Sequence, residues 1–462
     1  MKRWWRLLLW VWLLAAGGGA AWGAERFPPP EFEPGTYSMP VTTTPPARAH
    51  WLDYADVGLL LAALSAASYL VLVKRNRRQI LGLMLLSLLY FGFVRKGCVC
   101  PIGSIQDVTL ALFNRGYAVP VSILLFFLLP LAFTLFFGRT FCAAVCPLGA
   151  AQDLVLWRPV KVPAWLEQGL GLLPFVYLGA AVLFAATGSA FIICEYDPFV
   201  SFFRRTGSLK MLSIGAGFLL VGLFVGRPYC RFFCPYGAIL GLLSRLSKWN
   251  VTLTPDDCIK CQLCDVACPF GAIAEPAEAT ATAPAAGRGK SVAAWIALLP
   301  VLVVGGWWLG GRLAVPLSQL HPTVRLAERI AAEETGKITD TGKEPPTGLP
   351  APGHWQSSSE ENLRLASKAF RQTGKPIADL YAEARRWRGE FVTGAGLLGA
   401  FVGLVIGGKL IAVGLNRKHS IYEPDEALCL ACGRCYSYCP KELVRVKRLQ
   451  RPKATPAPLA QG

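Results

Sequence analysis

The sequence predicts an all-α integral membrane helical bundle that carries a small α+β module, and three observations lead to this fold class. Hydrophobic residues make up 53% of the 462 positions and charged residues only 16%, whereas soluble proteins contain roughly 25% charged residues. Seven apolar stretches are separated by polar loops. Fifteen cysteines fall in tight clusters, most of which end in Cys-Pro, a pattern that small disulfide scaffolds do not show.

The net charge of +18 does not indicate a nucleic-acid partner. Much of the excess lies at the ends of apolar stretches, as in Lys74–Arg78, or in the tail after Arg417. Lys and Arg concentrate in the cytoplasmic loops of membrane proteins. We therefore expect the basic residues to orient the chain in membrane lipid and expect no nucleic acid.

The N-terminus has the features of a signal peptide over residues 1–23: a basic start, an apolar run and small residues at a cleavage point. An uncleaved first helix is the alternative, and both interpretations place the following segment outside. Residues 24–56 are predicted to be a Pro-rich periplasmic segment.

Each apolar stretch is expected to cross the membrane as a helix, because lipid offers no hydrogen-bond partners to the backbone. A span needs roughly 20 apolar residues, so the second stretch is the shortest candidate. Five stretches fall in a membrane domain over 57–250, and two follow it. The predicted spans are 57–73, 79–94, 118–137, 168–190, 209–226, 292–311 and 392–415.

Alternation from an outside start then assigns the loops to the two faces. The inner loops are predicted at 138–167, 227–291 and 416–462, and the outer loops at 95–117, 191–208 and 312–391.

Three connecting segments complete the predicted organisation, namely a linker at 275–291, a periplasmic segment at 312–391 and a basic disordered tail at 446–462. In the periplasmic segment, Gly342–Ser359 is loop-like, while Glu360–Trp387 has helical spacing. Helices there could dock a partner or lie on the membrane surface.

Two motifs of the form C-x2-C-x2-C-x3-C-P lie in the segments 251–274 and 416–445. This spacing lets three thiolates of one loop bind one cubane, while the fourth cysteine ligates the other cluster of a two-cluster ferredoxin. We therefore predict a ferredoxin-like 2[4Fe–4S] module. One cluster is expected on Cys258, Cys261, Cys264 and Cys439, and the other on Cys429, Cys432, Cys435 and Cys268. Zinc is the alternative, although its sites usually pair more distant CxxC motifs without a terminal Cys-Pro.

The two motifs are separated by two predicted spans, so the second motif returns to the face of the first. That face is predicted to be cytoplasmic, where reducing conditions protect thiolates.

A repeat of the form C-x3-C-P-x-G-A occurs at Cys142–Ala150 and Cys230–Ala238. Each C-x3-C pair places its sulfurs on one side of a helical turn, able to share a metal centre. Iron–sulfur, zinc and copper(I) all suit four thiolates, and buried structural cysteines are the alternative. The predicted metal ligands are Cys142, Cys146, Cys230 and Cys234.

Three further cysteines map to the outer face. We predict a third thiolate site near the periplasmic boundary on Cys98, Cys100 and Cys194, completed by Glu195 or Asp197. A disulfide from Cys194 to Cys98 or Cys100 is the alternative in an oxidising compartment.

Some chemistry is not expected. The four histidines all lie outside the predicted spans, whereas membrane haems need axial ligands on helices, so no haem is expected. No C-x-x-C-H, Walker A or catalytic triad pattern is evident. We therefore expect an electron-transfer subunit without a substrate-turnover site.

With these motifs, the chain resembles the NosR/NapH-type membrane polyferredoxins. The resemblance rests on the paired CxxxCP motifs and the two ferredoxin motifs, and covers roughly residues 80–270 and 416–440. It implies a multi-pass protein of the bacterial inner membrane with cytoplasmic ferredoxin motifs. It also implies electron transfer between a cytoplasmic or quinone donor and a periplasmic acceptor in anaerobic respiration.

The resemblance also bears on cofactors and partners. NosR members carry a large periplasmic FMN domain, for which residues 24–50 are too short. We therefore expect no FMN in this chain and expect a separate periplasmic flavoprotein or reductase as partner. A redox-sensing regulator and a metal- or thiol-handling assembly factor for a periplasmic reductase are the alternative functions.

Overall fold

The computed structural model describes residues 49–97, 100–114, 116–204, 209–253, 258–274, 276, 285–336, 358–415 and 421–450. Within these ranges the regular secondary structure is helical apart from one pair of two-residue strands. The predicted signal peptide, the loop-like middle of the periplasmic segment and the end of the basic tail lie outside the described residues. The all-α membrane class is confirmed to the extent that the protein is mostly helical, with several apolar helices that could span a membrane.

The first half of the chain forms a bundle in which long helices alternate with short ones. The first two helices continue as the π-helical turns Leu70–Lys74 and Leu88–Val94. The bundle comprises α1 His50–Tyr69, α2 Arg77–Ser87, α3 Pro101–Phe113, α4 Val121–Phe137, α5 Thr140–Ala144, α6 Pro147–Val155, α7 Ala164–Leu170, α8 Leu173–Ala186, α9 Ile192–Tyr196, α10 Val200–Arg204, α11 Leu209–Gly222, α12 Pro228–Phe232 and α13 Pro235–Ser244.

Among the residues that the structure describes, five helical segments are long and apolar enough to cross a membrane, and they include the short second stretch. Two predicted spans form shorter apolar helices instead, namely α4 with 17 residues and α11 with 14. Pro120 and Gly138 bound α4, which at 1.5 Å per residue is about 26 Å long. The five segments are Trp51–Lys74, Arg77–Val94, Trp165–Ala186, Val292–Ser318 and Ile377–Gly414.

The segment after α8 packs against the bundle, and the assignment of loop 191–208 to the outer face stays a prediction. The Tyr177 hydroxyl, in the middle of the third long segment, donates a hydrogen bond to the Ile192 carbonyl at 3.2 Å. In α11, a Cβ on Gly215 would lie 2.3 Å from the Pro198 carbonyl oxygen. Close packing therefore holds α9 and α10 against α8 and α11 of the bundle.

Two long helices, α15 Ala285–Ser318 and α18 Ile377–Gly414, form an antiparallel hairpin. The short helix α14, Leu263–Ala267, precedes the hairpin and belongs to the ferredoxin module. The backbones meet at Gly306 and Gly399, where a Cβ would lie 2.2 Å and 2.0 Å from the opposing carbonyl oxygen. Small residues allow such close helix contacts in membranes. Both helices exceed the predicted spans, and α15 begins within the predicted linker 275–291, because helix formation continues past the apolar core.

A small helical cap joins the two helices of the hairpin. It consists of α16 Pro322–Glu334, α17 Ser358–Gln372 and the first turns of α18. Val324, Ile330 and Leu380 form its core. The helical spacing predicted for Glu360–Trp387 thus corresponds to two helices.

The two ferredoxin motifs meet in a module at the other end of the hairpin. The module contains α14 Leu263–Ala267, β1 Ile273–Ala274, β2 Glu423–Pro424, a 3-10 turn Cys435–Ser437 and α19 Pro440–Gln450. The strands pair antiparallel, with Ile273 opposite Pro424. The halves separated by the hairpin are therefore joined directly, and the ferredoxin-like α+β form of the module stays a prediction.

Ion pairs mark the two ends of the first long helical segment. Arg75 at its end contacts Glu442 of the module at 2.5 Å, while Arg95 pairs with Asp56 near its start at 2.8 Å. At 1.5 Å per residue, Asp56 and Arg75 are about 28 Å apart. The module thus lies at one end of the bundle and the Arg95 pair near the other.

Candidate functional site

The first group of thiols, the surface site, lies at the edge of the module. Its members Cys258, Cys261, Cys264 and Cys439 line one cavity. Cys261 is exposed and Cys264 is buried. Burial raises the pKa of Cys264 to about 11, and the nearby Cys439 and Cys258 act in the same direction. The structure therefore brings together the first predicted ligand set, including the cysteine from the remote motif.

The second group, the inner site, contains Cys268, Cys429, Cys432 and Cys435. Burial raises the pKa of Cys435 well above its usual range, and the other three thiols raise it further. Phe270 and Leu430 form an apolar wall beside these thiols. The second predicted ligand set is thus also assembled from both motifs.

Both motifs have left-handed residues at the same two positions between their first three cysteines. Lys260 and Gln262 have φ of 53° and 61°, and the equivalent Ala431 and Gly433 have φ of 52° and 70°. Left-handed residues other than glycine cost of order 1–3 kcal/mol each and concentrate at functional sites. The two loops are therefore shaped alike to curve around a bound group.

The third group, the central site, lies in the bundle and contains Cys142, Cys146, Cys230 and Cys234. Burial raises the pKa of Cys234 well above its usual range, with Cys230 and Cys146 as the next causes. In each repeat the second cysteine is the N-cap of a helix that starts with proline. The Gly237 N–H donates to Cys234 Sγ at 3.2 Å, and this hydrogen bond opposes the effect of burial by lowering the pKa of Cys234.

Two arginines hold the repeats together, each reaching the other repeat. A Cβ on Gly149 would lie 3.0 Å from Arg227 Nη1, and one on Gly237 would lie 3.4 Å from Arg139 Nη2. Arg227 is fully buried and donates to the Cys142 carbonyl. The glycine of the repeat is thus needed to admit a guanidinium group beside the central site.

Asp153 connects the bundle to the module. Its carboxylate pairs with Arg77 at 2.8 Å, Arg434 at 3.0 Å and Arg227 at 3.5 Å. Burial alone would raise the pKa of Asp153, but these three guanidinium groups hold it below its usual range. Asp153 lies about two turns along α6 from Cys146, the N-cap of that helix. Arg227 contacts both Asp153 and the Cys142 carbonyl, so the network adjoins the central site.

The distal site contains Cys100 and Cys194, with Asp197 beside them, while Cys98 lies outside the described residues. A Cβ on Gly103 would lie 3.3 Å from Cys194 Sγ. Both cysteines are free thiols. Burial raises the pKa of Asp197 to about 6. The site packs beside α8, where the Tyr177 hydroxyl donates to the Ile192 carbonyl, and its position at the periplasmic boundary stays a prediction.

The four sites are neighbours in sequence or in space, and the surface and inner sites share the two ferredoxin motifs. The apolar wall of the inner site, Phe270 and Leu430, also contacts Cys142 of the central site. Cys100 is among the groups that raise the pKa of Cys146. A continuous row therefore runs from the exposed Cys261 through the bundle to the exposed Cys194.

The donor set fits iron–sulfur clusters. Four thiols surround a cavity at the surface site, and cysteine thiolates are the ligands of [4Fe–4S] clusters. Buried Gln106 Nε2 at the distal site has no hydrogen-bond partner among the described residues, whereas the equivalent Gln152 Nε2 donates to Cys230 Sγ at 3.2 Å. Within the same ranges, no three His, Cys, Asp or Glu side chains are grouped to hold a single metal ion.

Sequence reasoning missed the charged and amide residues that support the thiols. Gly-Arg precedes each repeat by the same spacing, at Arg139 and Arg227, and Gln-Asp follows two of the Cys-Pro pairs. Extending the repeat in both directions would have found them.

Two families described as 4Fe-4S binding domains match the chain. One matches three times, over residues 80–120, 119–164 and 209–254. The other matches residues 251–274. The matched segments contain the cysteines of the three Cys-Pro repeats and of the first ferredoxin motif.

Curated relatives resemble parts of the chain. YccM of Escherichia coli (strain K12), named as a candidate electron transport protein, is 30% identical over 122 residues, which are 24% of this chain and 34% of YccM. Protein NirI of Paracoccus denitrificans is 31% identical over 121 residues, 25% of this chain and 18% of NirI. An uncharacterized protein of Methanocaldococcus jannaschii, MJ0750, is 33% identical over 82 residues, 18% of this chain and 34% of that protein.

The chain thus spans about a third or less of these relatives, and no solved structure matches it. The domain matches and the homology confirm the resemblance to iron–sulfur polyferredoxins.

Proposed function

Since this chain is a 4Fe–4S protein with the domains of a polyferredoxin, we propose that it is a membrane-bound electron-transfer protein. It relays electrons between a cytoplasmic or quinone donor and a periplasmic acceptor in anaerobic respiration. The similarity to YccM, named for electron transport, supports this class of function.

The single observation that carries the proposal is the continuous row of thiol sites. The hydrocarbon core of a bilayer is about 30 Å thick, too far for one useful electron hop. The central site lies in the bundle beside the Asp153 network, and the distal site follows it. A row with intermediate stations is the arrangement that electron transport into the membrane requires.

The two ends of the row are the accessible ones. Cys261 at the surface site and Cys194 at the distal site are exposed, while Cys146, Cys234, Cys264, Cys432 and Cys435 are buried. Exposure at the ends suits contact with a donor and an acceptor, and burial between them excludes water.

The [4Fe–4S] clusters supply one-electron oxidation and reduction when they are bound. The residues of the chain hold them and compensate their negative charge. Arg227 lies between the central and inner sites, where its guanidinium group packs 5.7 Å from the Phe270 ring and pairs with Asp153. A fixed positive charge there favours the reduced form of its neighbours, because it lowers the cost of adding an electron in a low-dielectric interior.

The orientation follows the distribution of basic residues. Lys74 and Arg75 lie at the module end of the first long segment, and such residues favour the cytoplasmic face. We therefore place the module in the cytoplasm and the protein in the bacterial inner membrane. A separate periplasmic flavoprotein or reductase is the proposed partner, and a quinone is a candidate donor.

Electron transfer across liposomes would test the proposal. Purified protein with its clusters is inserted into liposomes that enclose ferricyanide, and dithionite is added outside. We expect bleaching of ferricyanide well above that of protein-free liposomes. Cys146→Ser is expected to reduce the rate at least tenfold and to leave the EPR signals of the module in place.

Val145→Ala is the matched control, because Val145 is buried beside Cys146 and has no thiol. A Cys146→Ser variant that bleaches ferricyanide at the wild-type rate would contradict the relay. If dithionite reduces the clusters but neither the wild type nor any variant bleaches ferricyanide, the result would favour a redox sensor. Copper binding that depends on Cys142 and Cys230, without iron there, would favour an assembly factor.

A further inference from the structure

The distal site repeats the architecture of the central site. Gln152 Oε1 accepts a hydrogen bond from the Tyr229 N–H at 3.0 Å, just before Cys230. Gln106 Oε1 accepts from the N–H groups of Ile193 and Cys194 at 3.0 and 3.3 Å. Each glutamine follows its Cys-Pro cysteine by the same number of residues. Cys100 and Cys194 therefore correspond to Cys146 and Cys230.

One cysteine of the central site has no cysteine counterpart at the distal site. The central sequence Cys230-Arg-Phe-Phe-Cys234-Pro is replaced by Cys194-Glu-Tyr-Asp197-Pro. Asp197 thus occupies the place of the second Cys-Pro cysteine, one residue closer.

The local structure supports this correspondence. Asp197 Oδ1 accepts from the N–H groups of Phe199 and Val200 at 2.8 and 3.3 Å, much as Cys234 Sγ accepts from Gly237. Both hydrogen bonds end on Oδ1, and a carboxylate has a second oxygen with which to bind metal. The side chain is 2% exposed.

Asp197 is also close to the distal thiols. Burial raises the pKa of Cys100 to about 12, and the negative charge of Asp197 is the next cause. The pKa of Cys194 is raised first by burial, then by the carboxylate of Asp107 and then by that of Asp197. The buried Gln106 Nε2, without a partner in the described part of the chain, gives this region an unused donor like the one that binds Cys230 Sγ.

The number of cysteines agrees with a carboxylate ligand. Four [4Fe–4S] clusters need four ligands each, and the chain has fifteen cysteines. The surface, inner and central sites use twelve of them. Of the remaining three, Cys100 and Cys194 are described at the distal site, so a cluster there needs a ligand beyond the described cysteines.

We propose that Asp197 is an iron ligand of a fourth [4Fe–4S] cluster, held at the distal site with Cys100 and Cys194. This inference rests on the proposed function, because it assumes that the Cys-Pro repeats bind iron–sulfur clusters. A carboxylate oxygen is a harder ligand than a thiolate, so Asp197 holds its iron less firmly than cysteine would. The distal cluster therefore has one distinct iron next to the exposed end of the row.

The test measures iron content and EPR spectra of the full-length protein in detergent. Ferricyanide takes one electron from a [4Fe–4S]²⁺ cluster with a weakly held iron, which leaves as Fe²⁺, and a [3Fe–4S]⁺ cluster with its own EPR signal remains. We expect about sixteen iron atoms per chain in the wild type. Asp197→Asn keeps the hydrogen-bond acceptor but not the charge, and is expected to lose one to four irons or to increase the [3Fe–4S] signal severalfold.

Asp197→Cys is expected to retain the iron and to suppress the [3Fe–4S] signal, a rescue that a purely structural role would not produce. Glu195→Ala, which removes an exposed carboxylate on the same turn, is the matched control and should resemble the wild type.

Two results would overturn the assignment in distinguishable ways. Wild-type iron and spectra in Asp197→Asn, with four clusters present, would contradict the ligand role of Asp197 alone. If the wild-type protein contained only enough iron for the two clusters of the module, both the relay through the bundle and this inference would be contradicted.

Discussion

The module and the bundle both collect cysteines, but the cysteines come together in different ways. In the module, three of the four thiols of each site come from one loop, with a left-handed residue at the equivalent positions Lys260 and Ala431. In the bundle, each site combines cysteines from separate repeats, such as Cys142 with Cys230, held by buried side chains. Local spacing thus forms the module sites, whereas tertiary packing forms the bundle sites.

Supporting side chains therefore matter most at the bundle sites, because the cysteines of those sites lie far apart in the sequence. Arg227 and Gln152 contact the cysteines of the central site directly. The module instead depends on the hairpin that brings its two halves to the same place. Three substitutions test how the module and the bundle depend on their supporting residues, and they are given in order of decreasing expected effect.

The largest effect is expected where the two regions are linked. Asp153→Asn leaves Arg77, Arg227 and Arg434 around a neutral side chain. Removing one partner of a buried ionic network costs about 3–5 kcal/mol. We expect a lower thermal unfolding midpoint in detergent and loss of iron from the central site.

The control is Glu390→Gln, which breaks an exposed pair with Arg386 on the cap. Exposed pairs contribute roughly 0–1 kcal/mol, so this midpoint should barely change. Equal midpoints for both variants would show that the network does not link bundle and module.

A smaller effect is expected in the hairpin. Gly306→Ala drives a Cβ against the Gly399 carbonyl, and such overpacking costs about 1–3 kcal/mol. Because the hairpin connects the two motifs, we expect iron loss from the module rather than from the central site. Gly305→Ala, with nothing within 4 Å of its Cβ, should retain wild-type iron. If Gly306→Ala lost iron from the central site before the module, the distinction between the module and the bundle would be contradicted.

The smallest effect is expected in the cap, far from the module. Burial lowers the pKa of His321, whose ring stacks on Trp387 at 4.5 Å. The unfolded side chain takes up a proton near pH 6.5, before the folded one does. The stability of the cap is therefore full above that pH and falls as the pH drops below it.

Hydrogen exchange of α16 peptides at pH 7.5 and 5.5 would measure this change. His321→Asn keeps an acceptor for the Thr323 N–H and should remove the pH dependence. A similar acid response in this variant would assign the effect to another group.

Much of the fold could be predicted from the sequence, since apolar stretches and motif spacing are local properties. The five long helices and the shared module were expected. The packing of α9 and α10 against the bundle was not, because it depends on the contact of Pro198 with Gly215. The extension of α15 into the linker was also missed, because apolarity does not limit helix length outside lipid.

The sequence by itself determined which cysteines share a loop, because ligands a few residues apart are brought together by the chain that connects them. Only the tertiary structure decided that Cys100 meets Cys194 beside Asp197, and that Arg227 lies between two sites. These residues are far apart in the chain, and burial and packing of the helices, rather than spacing, bring them into contact.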